Sequence, residues 1–254
     1  MSTEPALSIV VPVYDEVENL PQLWSEIELT LGRLGLTAEV VFVDDASTDA
    51  SAEVIRRFMA GDSRVRMVSL DPHAGLTAAF HAGFAAARGR IVATLDSDLQ
   101  NDPRDLEPLL AALDHADAAV GWRQKRDDPW TKRISSRIAN AVRNRLTREE
   151  VHDSACSLRV MRRECTTAIP PYNGMHRFVP TLLRRAGYRV VEVPVHHRPR
   201  RFGRSKFGIR NRALRGFVDL LAVRWMLQRA LRYRAREVER PVATSIARDK
   251  EASR

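Results

Sequence analysis

The chain has 254 residues, 44% of them hydrophobic, with only 12 Gly and 13 Pro, which suits one α/β domain of about 200–250 residues and excludes a fibrous or wholly disordered protein. Its formal net charge of +9 is unevenly spread: residues 1–120 hold 8 Arg, no Lys and 20 Asp+Glu, whereas 121–254 hold 33 Lys+Arg and 12 Asp+Glu. A uniformly basic chain would suit nucleic acid, but a carboxylate-rich first half joined to a cationic second half suits a metal site beside a surface for anions, so no nucleic-acid partner is expected.

In the first half, short β-branched runs alternate with helical periodicity. Leu7–Val13, Val40–Val43, Val65–Leu70 and Arg90–Leu95 are predicted strands, with Ala116–Gly121 a weaker fifth. The first two runs are continuous rather than alternating, the pattern of strands buried on both faces. Helices are predicted near Val17–Arg33, Asp49–Met59, Leu76–Ala87 and Asp105–Leu113, with Asp49 as a helix N-cap. This alternation implies a doubly wound parallel sheet whose ligands bind beyond the carboxyl ends of the strands. After Gly121 the rhythm changes to a basic helix at Lys132–Leu146, a strand at Cys156–Met161, a helix at His176–Arg185 and a strand at Val190–Val195. A cationic loop, Arg198–Arg212, then precedes a basic amphipathic helix over 213–234, and 235–254 is a charged, aperiodic tail. A single domain over 1–234 follows, divided into halves 1–121 and 122–212 plus the C-terminal helix.

Cys156 and Cys165 are too few for a disulfide framework and are expected as buried thiols of a reduced cytoplasmic chain; Cys156 as a nucleophile is the alternative. Met1–Glu16 lacks a basic n-region, so no secretory leader is expected. No run reaches the ~18 apolar residues of a membrane span.

The carboxylates carry the chemistry. Asp44–Asp45 directly follow VVFV, and Asp96-Ser97-Asp98 directly follow IVATL, so both sets fall where a doubly wound sheet places its ligands. Asp96 and Asp98 are two apart, which turns both carboxylates to one side of an extended backbone. Like charges so close repel unless a cation joins them. A hard divalent ion does so while keeping positions for water and phosphate oxygens, and Gln100 adds a neutral oxygen at the same spacing. Taken singly, such aspartates are also common turn formers and helix caps. There is no GxGxxG after the first strand and no GxxxxGK[ST], which argues against dinucleotide and P-loop binding.

In order and spacing, VVPVYDEVENL, VFVDDASTD and LDSDLQNDP resemble the inverting family-two glycosyltransferases of the GT-A fold, the DSD resembling their DxD metal motif. VGWR, HDSACSLRVMRR and HRFVPTLLRRAGYRVVEVPVHHRPRRFGRSKFG resemble the narrower polyprenyl-phosphate group, typified by dolichyl-phosphate mannosyltransferase. The resemblance implies transfer of a hexose from a UDP- or GDP-sugar to a polyprenyl phosphate, dolichyl or undecaprenyl, with inversion.

By the same resemblance, Pro12, Tyr14 and Glu16 line the nucleotide pocket, with Asp44 on the base and Asp45 beside it on the donor side. Asp96, Asp98 and Gln100 would hold Mg²⁺ or Mn²⁺ against the diphosphate, with Asp98 central to turnover. Arg123, Arg133 and Ser136 would hold the acceptor phosphate. That phosphate is already anionic and needs alignment more than a general base. Asp153 matches an acidic position near the acceptor, its role open between base, orienter of an arginine and helix cap. Arg204, Ser205 and Lys206, within a stretch of eight cations and no carboxylate over Arg198–Arg215, would close on the diphosphate. Leu214, Phe217, Val218, Leu221, Trp225 and Met226 form an apolar stripe at helical spacing, suited either to the core or to an anionic membrane surface. Relatives often continue into transmembrane helices, so membrane contact here is expected to be peripheral, on the cytoplasmic face, or through a membrane-protein partner. Two rival readings are the same fold with a saccharide acceptor, and a non-catalytic basic protein that binds nucleic acid or membrane.

Overall fold

The computed structural model describes residues 4–124, 144–146, 151–153, 156–200 and 209–229, with 209–215 described as backbone alone. Seven strands form one sheet in the order β3-β2-β1-β4-β6-β5-β7. They are β1 (Leu7–Val13), β2 (Ala38–Asp44), β3 (Val65–Ser69), β4 (Ile91–Thr94), β5 (Ala118–Arg123), β6 (Arg159–Arg162) and β7 (Val190–Val195). The helices are α1 (Leu20–Leu34), α2 (Ser51–Gly61), α3 (Leu76–Ala86), α4 (Leu106–Ala111), α5 (Val179–Arg185) and α6 (Ile209–Arg229), joined by short 3-10 turns.

β1 and β2 are buried on both faces, as their continuous apolar runs predict. Ile9, Val11 and Val13 of β1 join Leu20, Leu23 and Ile27 of α1 in one core. Val10, Val41 and Val43 join Ala79 and Phe80 of α3 in the other, on the opposite face of the sheet. Alternate strand residues thus feed two cores, which is the physical content of a doubly wound layer. At Gly83 of α3 a Cβ would lie 2.2 Å from Val10 Cγ1, so glycine lets the helix sit directly on β1.

β1, β2, β3 and β4 pair in parallel. The strand order reverses between β1 and β4, leaving a crevice beyond their carboxyl ends. The sheet is mostly parallel, as the GT-A resemblance implies, and β6 is the exception: it is antiparallel to both β4 and β5, with Arg159 opposite Thr94 and Val120. Because β6 runs backwards, its start lies at the carboxyl edge, so the residues before it arrive at the crevice.

Other boundaries also move. β5 begins two residues later than the sequence predicts, and α1 starts at Leu20 rather than near Val17. Ala50, not Asp49, is the N-cap of α2, although Asp49 Oδ1 accepts the Ser51 N–H at 2.8 Å. The helix assigned to 213–234 starts at Ile209, inside the segment predicted as loop. Most of the predicted basic helix at Lys132–Leu146 lies outside the described residues, of which Asn144–Leu146 are helical.

Both cysteines are free and buried. Burial pushes the Cys156 thiol up to about 11 and the Cys165 thiol up to about 12. At pH 8 the thiolate fraction of each is therefore far below that of an ordinary cysteine. A thiol-specific disulfide reagent is expected to leave the native protein unmodified at that pH and to titrate two thiols after denaturation. Rapid native labelling would reinstate Cys156 as a reactive group.

Candidate active site

The loops after β1 and β2 are stitched together at the crevice. Asp15, at φ 48°, accepts from Thr48 N at 2.6 Å and Thr48 Oγ1 at 3.1 Å, while its own N–H donates to Ser47 Oγ at 3.0 Å. The Glu16 N–H donates to Ser51 Oγ at 2.9 Å, and the Val17 N–H to Asp49 Oδ2 at 3.2 Å. Ala46 holds φ 57°, a left-handed conformation that costs a non-glycine residue roughly 1–2 kcal/mol. Residues 12–16 and 44–49 are thus joined into one wall, which brings Pro12, Tyr14, Glu16 and Asp44 to the same end of the sheet.

Asp44 is buried and accepts the Ser47 N–H at 3.3 Å. Asp45, beside it, is engaged by the loop that follows β3. Its two carboxylate oxygens accept the N–H groups of Ala74 at 2.7 Å and Gly75 at 2.8 Å, and His73 Nδ1 lies 3.1 Å from Oδ2. Asp45 therefore holds the loop that opens α3 and places His73 against Tyr14, ring centroids 4.2 Å apart.

Beyond β4, Asp96 and Asp98 both lie at the carboxyl edge, with Leu99 between Asp98 and Gln100 at φ 60° and almost fully buried. Strain of this kind persists where surrounding structure enforces it and clusters at functional sites. Asp96 Oδ2 accepts from Ser157 Oγ at 2.5 Å; that hydroxyl also accepts from Asn101 Nδ2 at 3.0 Å, and Thr94 Oγ1 donates to the Ser157 carbonyl. Burial and the neighbouring Asp98 charge push Asp96 up to about 6, against the pull of Ser157, Arg159 and Arg123. Its anionic form is short of positive charge.

That observation tests the fit of a divalent ion, and the residues pass. Asp96 and Asp98 offer hard oxygen ligands in a place where added positive charge relieves repulsion. Among the described residues no group of three or more His, Cys, Asp or Glu is placed to hold an ion. Gln100 is tied to its neighbours: its backbone N–H donates to Asp98 Oδ1 at 3.1 Å, its backbone carbonyl accepts the Arg198 N–H at 2.9 Å, and its side-chain Nε2 donates to the Arg198 carbonyl at 3.5 Å.

Asp153 and Arg123 meet across the crevice. Arg123 Nε donates to Asp153 Oδ2 at 2.6 Å and Nη2 to Oδ1 at 3.0 Å, a bidentate fork that fixes the guanidinium plane. Burial opposes the Arg123 charge, but the Asp153 bonds outweigh it and hold the group above its usual range. Of the three roles left open for Asp153, this geometry fits the orienter of an arginine. Asp153 is itself held from below: the N–H groups of His152 and Asp153 donate to Glu192 Oε1 at 2.9 and 3.3 Å, and the His152 ring stacks on Trp122.

Arg159 was not predicted, although a lone arginine within the apolar run SLRVM was the available signal. It is 3% exposed, donates to the His176 carbonyl at 2.9 Å, and its field reaches Asp96, Asp153 and Arg123. Burial depresses its guanidinium below the ordinary range. Ser157 was missed as well, because nothing local marks it. Arg133, Ser136, Arg204, Ser205 and Lys206 lie outside the described residues.

The chain resembles known proteins over most of its length. It is 36% identical over 238 residues to dodecaprenyl-phosphate galacturonate synthase of Rhizobium johnstonii, covering 91% of this chain and 68% of that protein. Among solved structures, it matches glucosyl-3-phosphoglycerate synthase of Mycobacterium tuberculosis in complex with Mn²⁺, UDP and phosphoglyceric acid, at TM-score 0.67 and 21% identity over 87% of this chain and 78% of the other. It also matches the mannosyltransferase of Pyrobaculum calidifontis in complex with GDP-Man and Mn²⁺, at TM-score 0.61 and 20% identity over 87% and 64% of the respective chains. These two likenesses establish the fold, a GT-A-like single domain. The model of glycosyl transferase family 2 matches residues 8–168. With strand-end carboxylates, fold and sequence agreeing, the chain belongs to glycosyl transferase family 2.

Proposed function

We propose that the chain transfers a hexose or hexuronate from a nucleotide sugar to a polyprenyl phosphate, with inversion, at the cytoplasmic face of a membrane. The observation that carries this reading is the placement of Asp96 and Asp98 opposite an arginine, Arg123, pinned bidentately by Asp153. The relative from Rhizobium, whose name specifies a polyprenyl phosphate, supports the acceptor class.

Each residue has a task in that reaction. Tyr14, Glu16 and Asp44 wall the nucleotide side of the crevice, and Asp96 and Asp98 would hold Mg²⁺ or Mn²⁺. A bound divalent ion offsets the charge that grows on the departing nucleoside diphosphate. Arg123 has guanidinium N–H groups that no other described residue takes up, and they can align an acceptor phosphate oxygen with the anomeric carbon. That oxygen is an anion near neutral pH, so inversion needs no side-chain base. Ser136 and Arg133 would extend this phosphate site, and Arg204, Ser205 and Lys206 would close on the diphosphate.

No helix among the described residues is long and apolar enough to cross a membrane. The face of α6 that packs on the core differs from the predicted stripe, of whose described side chains Met226 alone packs against the second core. Leu220 and Val223 are buried in the second core, whereas Phe217, Val218, Leu221 and Trp225 are 46–60% exposed. Arg229 lies 5.8 Å from the Trp225 ring. Such a face suits the interface of an anionic leaflet, where each nearby cation adds about 1 kcal/mol. A double substitution of Phe217 and Trp225 by Ala is expected to weaken sedimentation with phosphatidylglycerol vesicles by about tenfold or more. Unchanged sedimentation would remove the membrane surface from the reading.

The reaction is tested with purified protein, Mn²⁺ or Mg²⁺, undecaprenyl or dolichyl phosphate, and a panel of UDP- and GDP-hexoses that includes a hexuronate. One donor is expected to give a lipid-monophosphate-linked sugar, with the product lost on chelation. Transfer from none of them would contradict the proposal.

A further inference from the structure

After Val195 the chain does not leave the sheet for solvent but runs as a strap along residues 98–105. Its alternate residues engage a row of carboxylates. His196 meets Asp105 through its backbone N–H at 2.8 Å and its Nδ1 at 2.7 Å. Arg198 meets Asp102 and Glu26, at 2.6 and 2.7 Å. Arg200, the last described residue before the GRSKFG segment, donates from Nη2 to Asp98 Oδ2 at 2.6 Å, with its Nη1 3.7 Å from Glu16. The first two rungs lie on carboxylates outside the proposed ion site. The third lies on one of its two ligands.

We propose that Arg200 is the resident counter-cation of Asp98, and that a divalent ion gains this carboxylate only by displacing Arg200 toward the incoming diphosphate. The inference rests on the assignment of Asp96 and Asp98 as the ion-holding pair. A guanidinium at 2.6 Å already occupies one oxygen of this carboxylate, and a dication and a guanidinium on one carboxylate repel each other. Metal alone must therefore break a charge-assisted hydrogen bond and leave Arg200 only its longer ion pair with Glu16. With a nucleoside diphosphate present, the phosphate oxygens offer Arg200 a new partner that its fork fits. Arg200 thus opposes the ion by itself and favours the ion together with nucleotide. Because the rungs at His196 and Arg198 stay paired, only the end of the strap has to move. Arg200 is a positioning residue in this account, acting on the ion through Asp98.

The test is Mn²⁺ binding to the full chain, followed by the electron paramagnetic resonance signal of the free ion, without nucleotide and with saturating UDP or GDP. Arg200→Gln is expected to bind Mn²⁺ alone on the order of tenfold more tightly than wild type. With nucleotide present that gain should vanish or invert. Arg200→Lys, which keeps the charge without the fork, should fall between the two and covers the case in which Arg200→Gln does not fold. Equal affinities for Mn²⁺ alone, including binding by neither protein, would overturn the proposal, and so would a gain that persists unchanged with nucleotide bound. Neither sugar nor lipid enters the assay, so failure of sugar transfer and failure of this exchange give different results.

Discussion

Replacing Asp98 by Ala is expected to lower turnover by about 10³-fold or more while leaving the melting temperature within a few degrees of wild type. The magnitude follows from losing one of two side chains able to hold an ion against a developing diphosphate charge, an electrostatic contribution of several kcal/mol. The small effect on stability follows from where Asp98 bonds. It accepts from the Gln100 N–H and from Arg200, whose side chain is 29% exposed, and makes no contact that organises either core. One further consequence has a definite sign. Asp96 is held up at about 6 by burial first and by the Asp98 charge second, so removing Asp98 lets it fall toward the ordinary carboxylate range. The variant therefore keeps a better-ionised Asp96 and still fails, because a single carboxylate gives the ion only one protein anchor. Steady-state rates together with thermal melts check this, and near-normal turnover would remove the ion from the account.

Asp153→Ala is expected to do two things at once: lower stability by about 3 kcal/mol and lower turnover by about 10²-fold. Arg123 is largely buried, and both Asp153 oxygens serve it. Deleting one partner of a buried pair leaves a charge without compensation, which is what makes such deletions costly. The loss of turnover comes from a guanidinium no longer fixed in plane, through misplaced acceptor phosphate rather than missing proton transfer. A base and an orienter differ in pH dependence. If Asp153 took a proton, the acid limb of the kcat profile would belong to it and would disappear in Asp153→Asn. An orienter leaves the limb in place and lowers the plateau. Chemical denaturation of Asp153→Ala and the pH profile of Asp153→Asn measure the two effects separately.

The first half of the molecule was legible because its signals are local. Continuous apolar runs at Leu7–Val13 and Val40–Val43 can be satisfied only by strands covered on both faces, and the carboxylates that follow them have to lie at the ligand edge. β7 was legible from its β-branched run, VVEVPV, although it is a partly exposed edge strand. The second half hides its logic in long-range geometry. Nothing in CSLRVM states that the strand at Arg159 runs backwards, yet that reversal brings Asp153 and Ser157 to the crevice. Arg159 itself looks like a surface cation until the sheet closes around it. Asp45 and Gln100 matched the pattern by position, but the fold commits Asp45 to backbone N–H groups at Ala74 and Gly75 and turns Gln100 toward Arg198. The cationic stretch drew attention to Arg204–Lys206, whereas the cation seen on the carboxylates is Arg200, placed there by the strap that begins at His196.

The central claim is that Asp96 and Asp98 jointly hold an ion against the donor diphosphate. Anomalous scattering from crystals grown with Mn²⁺ and UDP measures it most directly. The account predicts one strong peak bridging the two carboxylates and the diphosphate oxygens, with Arg200 withdrawn from Asp98. Bound nucleotide with no peak there, or with Arg200 still on Asp98 beside the metal, would contradict it.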